Sequence, residues 1–282
     1  MTIKEALSAL KSRLSAIDDG ALEARFILEK TLGLTYSEML FKGDEVITQE
    51  KFVEASDAAE RRLSGEPIQY ILGSWDFMDY TFKVGEGVLI PRPETEILVE
   101  YIADKIKDIS NPVIYDLCSG SGCIGISLKK LINDAEVYLV EKSDKALYYL
   151  KENYAELCAD MSGITAIQGD ILRIEDFSDL PEADVIVSNP PYIRSDEIPT
   201  LQSEVLREPH MALDGGEDGL VFYRYLVSEW SKKLKSSGFM AFECGEDQAE
   251  DICGLFSEIS FDSKIVNDYN NIQRIVIGGR TE

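Results

Sequence analysis

Val185-Ile186-Val187-Ser188-Asn189-Pro190-Pro191-Tyr192 decides how this chain folds. Its first three residues are apolar and β-branched, the pattern of a strand buried on both faces in a parallel sheet. Two prolines then forbid further ladder hydrogen bonds and pin the backbone. A side-chain amide and an aromatic ring therefore stand on a stiff turn at the carboxyl end of a strand, where ligands bind in open α/β sheets. The Asn189 side-chain oxygen and the Pro190 carbonyl lack strand partners. Two such acceptors suit a planar NH₂ group with its two donors, and the Tyr192 ring can stack on the same flat group. An amide, a nucleobase or a guanidine would fit. The competing reading is a Pro-rich turn with a surface tyrosine.

Strands and helices alternate around this stretch. Val113-Ile114-Tyr115-Asp116-Leu117 reads as a strand and Gly122 to Leu131 as a helix. Glu136 to Val140 is a strand, Asp144 to Leu157 a helix, and Ile164 to Ile167 a strand. After Val185 to Ser188 come a helix from about Leu220 to Leu234, a strand from Phe239 to Glu243, and a strand pair at 261–266 and 273–277. This alternation predicts an α/β fold, a doubly wound, Rossmann-like sheet with helices on both faces.

Residues 1–73 read differently. Ile3, Leu7, Leu10 and Leu14 recur at helical spacing, as do Ala24, Ile27, Leu28 and Leu32 before Gly33. A short helix is expected from Tyr36 to Leu40. Thr48 can cap a fourth helix with Phe52, Ala55, Ala59 and Leu63 along one stripe, ended by Gly65-Glu66-Pro67. Four short amphipathic helices make a small bundle with no chemistry visible in it. Residues 74–90 change pattern: Phe77, Tyr80, Phe82 and Val84 with Gly85 and Gly87 suggest a β-hairpin linker. The third domain, 91–282, opens with Leu89-Ile90-Pro91-Arg92-Pro93-Glu94 leading into a helix to about Ile109. Glu94 and Glu96 suit the positive end of that helix.

Asp116-Leu117-Cys118-Ser119-Gly120-Ser121-Gly122 lies between the first strand of the sheet and its helix. Glycines here let the chain turn sharply and let a ligand approach backbone amides. Glu141 closes the second strand, 19 residues after Gly122, and an acid there can accept both hydroxyls of a ribose. That logic serves any adenosine-containing cofactor. Gly120-x-Gly122-x-x-Gly125 also matches the dinucleotide fingerprint. In that motif the first glycine follows the strand directly and the helix N-terminus faces pyrophosphate. Here Asp116 comes four positions before Gly120. An acid there would repel pyrophosphate and would suit a cofactor with a cationic amino-acid end, such as S-adenosylmethionine.

Composition narrows the classes further. The 282 residues are 45% hydrophobic, with no apolar run long enough to span a membrane and no signal-peptide pattern at Met1-Thr2-Ile3-Lys4-Glu5-Ala6. A cytoplasmic location is the default. Five cysteines (118, 123, 158, 244, 253) form no Cys-x-x-Cys pair, and His210 is the one histidine, so no metal site is expected. His210 reads as a loop residue. Net charge is −24. Residues 1–75 hold 9 basic and 13 acidic side chains, the remainder 19 and 39. This balance opposes stable nucleic-acid binding, which needs a positive footprint.

Asn-Pro-Pro-Tyr after a strand resembles the signature of S-adenosylmethionine-dependent methyltransferases that act on planar nitrogens. Three further stretches sharpen the likeness: Gly65-Glu66-Pro67-Ile68-Gln69-Tyr70-Ile71-Leu72-Gly73, Leu89-Ile90-Pro91-Arg92-Pro93-Glu94-Thr95-Glu96, and Glu208-Pro209 through Gly215-Gly216-Glu217-Asp218-Gly219-Leu220. Together, over nearly the whole chain, they resemble the PrmC/HemK family, which methylates the glutamine of peptide chain release factors. The resemblance implies a class I methyltransferase domain and a helical N-terminal domain that helps hold the release factor. It implies transfer from S-adenosylmethionine, leaving S-adenosylhomocysteine, to the glutamine N5 in the GGQ segment of class 1 release factors, with the chain expected to be a monomer. By the same likeness Asn189, Pro190 and Tyr192 are catalytic. The cofactor would meet Asp116, Cys118, Ser119, Gly120, Ser121, Gly122, Glu141, Asp170, Ile171 and Asn189. The substrate would meet Asn189, Pro190, Pro191 and Tyr192, with Arg92 and Glu94 on a loop closing over it. Cys118 stands where the family usually has glycine, and Ile171 replaces an aromatic of some relatives. A nucleic-acid N-methyltransferase using the same clamp is the alternative substrate class, and a cofactor-binding protein without catalysis is a third.

Overall fold

Ile114 and Tyr115, neighbours in one strand, face opposite sides of a seven-stranded sheet, and both are fully buried. The computed structural model that shows this describes residues 1–280. These residues fall into two units, Met1–Ser74 with Gln202–Arg207, and Trp75–Leu201 with the residues from Glu208 onward.

In the first unit, helices α1 (Ile3–Arg13), α2 (Gly20–Leu32), α3 (Tyr36–Phe41), α4 (Gln49–Leu63) and α5 (Ile68–Leu72) enclose Leu10, Leu14, Ile27, Leu28, Ala55 and Ala59. Thr2 and Glu5 close a capping box at the start of α1. Thr48 caps α4, accepting from the Lys51 N–H at 3.2 Å. The apolar stripe of α4 is narrower than its sequence suggests: Ala55 and Ala59 are buried, whereas Leu63 is exposed. A fifth helix, α5, follows Pro67, where the sequence suggested only a stop. The segment 202–207 joins this unit through ion pairs. Arg62, buried on α4, donates to Glu23 at 2.6 Å and also to Glu204. Arg207 donates to the Ser64 carbonyl at 3.0 Å. The buried partner of this guanidinium is Glu23, and breaking a buried pair costs about 3–5 kcal/mol; Glu204 is part-exposed and ties the 202–207 segment to α4.

The second unit opens with a hairpin, β1 (Ser74–Phe77) and β2 (Tyr80–Lys83). Its turn falls at Met78, which takes a left-handed φ of 52°, and not at the glycines that follow. Then come α6 (Pro93–Ile106), β3 (Val113–Leu117), α7 (Cys123–Leu131), β4 (Glu136–Glu141), α8 (Asp144–Leu157), β5 (Ile164–Gln168) and β6 (Ala183–Ser188). The chain ends with α9 (Val221–Glu229), β7 (Leu234–Glu243), α10 (Ala249–Glu258), β8 (Phe261–Asn267) and β9 (Gln273–Arg280). The strand order is β5-β4-β3-β6-β7-β9-β8, parallel except for β9, which pairs antiparallel with both β7 and β8. Order reverses between β3, which leads outward to β4, and β6 beside it, and such a switch point opens a crevice at the carboxyl strand ends.

Strand alternation divides the core into two layers. Ile114, Val137, Leu139, Val185 and Val187 pack with α6, α7 and α8 on one face. Tyr115, Leu117, Ile186, Met240 and Phe242 pack with α9 and α10 on the other. The α/β class is as the alternation predicted. Helix α10 was given no range from the sequence beyond a helix start weighed at 243–248, and β7 begins at Leu234, five residues before the strand read from hydropathy.

Candidate active site

Strand β6 ends at Ser188, whose hydroxyl donates to the Leu117 carbonyl at 2.6 Å and ties the ends of two neighbouring strands together. Asn189 follows, half-buried. Its Nδ2 donates to the Thr95 hydroxyl at 3.4 Å, and Thr95 donates to the buried Glu243 carboxylate at 2.5 Å. Among the described residues no donor reaches Asn189 Oδ1 or the Pro190 carbonyl. The two acceptors foreseen for a planar NH₂ group are thus free.

Tyr192 is held through its backbone. Its carbonyl accepts from Gln248 Nε2 at 2.9 Å, and the next residue, Ile193, exchanges hydrogen bonds with Leu213 and Gly215 at 2.9 and 2.8 Å. The Gly215-Gly216-Glu217-Asp218-Gly219 loop lies against it so closely that glycine is required. A Cβ on Gly215 would come 2.7 Å from the Tyr192 Cα, and one on Gly219 would come 2.4 Å from its carbonyl oxygen.

Beside the clamp opens a cavity of about 330 Å³. The loop after β3 supplies Cys118, Ser119, Gly120 and Ser121; β4 supplies Glu141; the loop after β5 supplies Asp170 and Ile171. Glu141 is buried, and its carboxylate accepts from the Gly120 N–H at 2.8 Å and the Ser143 N–H at 2.7 Å. Burial raises its pKa above the ordinary value, against those N–H donors. Each carboxylate oxygen retains a lone pair for a further donor. Asp170 is pushed up by partial burial but ends below the usual range, because Lys142 at 2.7 Å and the Leu172 N–H hold its charge. Trp230, fully buried, donates its indole N–H to the Ile171 carbonyl at 2.9 Å and fixes that wall.

Asp116 is fully buried at the end of β3 and does not line the cavity. One carboxylate oxygen accepts from the Gly125 N–H at 2.9 Å, and the other has no partner among the described residues. Burial raises its pKa to about 7. Glu243 is also raised to about 7 by burial, against the pull of Thr95, Arg274 and Arg92. Burial likewise keeps the Cys118 and Cys123 thiols protonated, that of Cys123 pushed up to about 12. Cys118 adopts a left-handed φ of 63°, which suits glycine better than a residue with a Cβ.

A second loop roofs the cavity with Pro209, His210, Met211 and Ala212, facing Leu89, Ile90, Pro91 and Arg92. Glu208 joins the two. Buried, it accepts from the Ile90 N–H at 3.0 Å and pairs with the Arg92 guanidinium.

Residues 5–73 match the family model of the PrmC N-terminal domain, and residues 93–236 match that of the methyltransferase small domain. The release factor glutamine methyltransferase of Thermodesulfovibrio yellowstonii is 37% identical over 277 residues, covering 97% of each chain. That of Moorella thermoacetica is 34% identical over 286 residues, covering the whole of both. The chain belongs to the release factor glutamine methyltransferase family. The T. thermophilus 16S rRNA N2 G1207 methyltransferase, solved with AdoMet and guanosine, has a TM-score of 0.53 at 16% identity. It covers 74% of this chain and 50% of its own, and shows the shared fold.

In this member of the release factor glutamine methyltransferase family, ten of the residues singled out in the sequence line one cavity: Arg92, Cys118, Ser119, Gly120 and Ser121, together with Glu141, Asp170, Ile171, Asn189 and Pro191. Asp116, Gly122, Pro190, Tyr192 and Glu94 do not line it. Pro190 is buried, and Glu94 lies in the first turn of α6. Sequence reasoning gave Thr95 no role of its own, placed Glu208-Pro209 only in a loop near the substrate entrance, and read Glu243 to Gln248 equally as site lining or as a strand end with a helix start. A buried acid closing an apolar strand was the signal for Glu243, since carboxyl strand ends share one crevice. His210, read as a loop residue, is on an exposed turn that lines the roof.

The residues present fit S-adenosylmethionine. Glu141 offers ribose-hydroxyl acceptors and Asp170 one for an adenine amino group on the cavity wall, while the buried Asp116, off the lining, keeps one oxygen with no partner among the described residues.

Proposed function

We propose that the chain uses S-adenosylmethionine to methylate the side-chain amide nitrogen of the glutamine in the GGQ segment of class 1 peptide chain release factors. Family membership supports the activity. The observation that supports the chemistry is the pair of acceptors, Asn189 Oδ1 and the Pro190 carbonyl, that no donor among the described residues reaches, Asn189 lining the cavity and Pro190 following it in the chain.

S-adenosylmethionine supplies an electrophilic methyl group on a sulfonium. The protein's part is positioning and charge stabilisation. An amide nitrogen is a poor nucleophile because its lone pair is conjugated with the carbonyl. Asn189 and Pro190 each take one N–H of the substrate, which presents that nitrogen in one orientation. The same two oxygens stabilise positive charge as it develops there, in a partly water-excluded site. No base is needed beforehand, since the N–H becomes acidic only as that charge develops. Tyr192, packed against the second core layer, is the third member of the clamp. Asp116, Glu141 and Asp170 hold the cofactor through its amino-acid end, ribose and adenine. The helical unit, with its PrmC N-terminal match, supplies release factor contacts.

The test is transfer of labelled methyl to purified release factor, to its Gln→Ala variant in GGQ, and to total RNA or DNA in parallel. Label on the release factor alone, absent from the variant, is the expected result. Label on nucleic acid alone would overturn the substrate.

A further inference from the structure

An asparagine amide can present either its oxygen or its nitrogen, and the clamp works only one way round. Two acceptors grip an NH₂ group; an acceptor and a donor do not. Something must therefore choose the orientation of Asn189. The hydrogen bonds behind it make that choice. Glu243 closes β7, is 2% exposed, and has no Lys or Arg within ion-pair distance among the described residues. When ionised, its carboxylate can only accept, and the Thr95 hydroxyl then donates to it, at 2.5 Å. That leaves only lone pairs on Thr95 facing Asn189. Nδ2 then turns toward Thr95, at 3.4 Å, and Oδ1 turns away from it toward the free side. At that length the bond directs more than it stabilises.

We propose that Thr95 and Glu243 are positioning residues, which set the Asn189 side-chain amide so that its oxygen, and not its nitrogen, meets the substrate. The assignment rests on the methyl-transfer reading for its consequence and on geometry for its substance. Neither residue touches the substrate in this account. The surroundings suit such a role. Thr95 is 2% exposed in the first turn of α6, at the cavity wall. The end of β7 is fixed where Tyr223 donates to the Glu243 carbonyl at 2.6 Å. Burial opposes a charged Glu243 most strongly and Glu94 on α6 adds to that, whereas the Thr95 hydrogen bond, Arg274 from β9 and Arg92 before α6 favour the charge. A lone carboxylate in such a place costs desolvation energy that a neutral hydrogen-bond partner would not. What the charge provides is direction along the relay.

Two readouts test this. The first needs no substrate: the Asn189 side-chain NH₂ resonances, identified by their loss in Asn189→Ala, are followed by NMR in full-length protein. Slowed solvent exchange of one N–H is expected in the wild type and should disappear in Thr95→Val, which keeps the shape and lacks the hydroxyl. The second is single-turnover methyl transfer to release factor. Thr95→Val should lower the rate about tenfold or more with little change in the KM for S-adenosylmethionine. Thr95→Ser should restore most of that loss, and Glu243→Gln, which brings a competing donor, should resemble Thr95→Val. In an Asn189→Ala background Thr95→Val should cost nothing further, as expected for residues acting as one unit. Unchanged Asn189 exchange in Thr95→Val, or an additive double variant, would overturn the proposal. Because the exchange readout is independent of turnover, failure of the release factor assignment alone would leave a distinct signature.

Discussion

At the scale of single residues, Asn189 and Cys118 make opposite kinds of prediction. Asn189→Ala removes an acceptor aimed at charge that exists only during transfer. Removing one such group costs about 10²–10³ in rate. The expected outcome is a kcat lowered about a hundredfold, with S-adenosylmethionine affinity by calorimetry within a few-fold of wild type. A turnover near wild type would defeat the clamp. Cys118 concerns stability. Its φ of 63° is one that a Cβ disfavours by about 1–2 kcal/mol. Cys118→Gly should therefore be more stable than Cys118→Ala by about 1 kcal/mol in urea unfolding, although glycine has fewer atoms to pack. The reverse order would mean that packing around the thiol outweighs the backbone. Such local features were legible in the sequence: Asn189, Pro190, Glu141 and the loop from Cys118 to Gly122 are contiguous motifs with a chemistry of their own. The contact between Thr95 and Glu243 was not. They lie 148 residues apart and meet only once α6 and β7 are folded, and no local periodicity encodes that meeting.

At the scale of elements, two loops decide how the clamp and the cavity are held. The glycine loop presses on the Tyr192 backbone with room for hydrogen atoms and nothing larger. Gly219→Ala introduces a Cβ 2.4 Å from the Tyr192 carbonyl oxygen at a left-handed φ of 74°. The chain must shift at Tyr192, so methyl transfer should fall at least tenfold while the far-UV spectrum is kept. Wild-type turnover in this variant would show that the loop does not position the clamp. The roof loop is held differently, by Glu208 gripping Ile90 and Arg92. Glu208→Gln keeps the shape and loses the charge, and should weaken S-adenosylmethionine binding several-fold by calorimetry. An unchanged affinity would separate this loop from the cofactor. The sequence showed strands and their order of appearance because apolar, β-branched runs between glycines are local signals. Helix α10 was given no range because Ile252 and Phe256 are its only large buried side chains. The membership of 202–207 in the helical unit was also hidden, since it depends on a buried arginine far away in sequence.

At the scale of the whole molecule, the site is built at the expense of stability. Asp116 and Glu243 are both raised to about 7 by burial, well above their unfolded values. A carboxyl group whose folded pKa is raised binds its proton more tightly in the folded state. Its contribution is fully present below the unfolded value, near pH 4, and is lost as pH rises to about 7. The fold should accordingly lose stability between about pH 4 and pH 7 and change little above, as read by urea midpoints across that range. Glu243→Gln should flatten part of that slope and raise the midpoint at pH 8 while lowering turnover, a trade between stability and function. A steeper slope, or a lower midpoint at pH 8, would contradict the assignment of a costly buried charge. The net charge of −24 adds repulsion in the same direction, since acid relieves it.

One methyl group, on one glutamine nitrogen, is the expected product of this chain. Peptide mapping by mass spectrometry after a single-turnover reaction with release factor and S-adenosylmethionine tests it most directly. The account predicts one added methyl on the GGQ glutamine side chain, and none elsewhere, with the wild-type protein. It predicts little or none with Asn189→Ala under the same conditions. Methylation at another residue, or equal yield from Asn189→Ala, would contradict it.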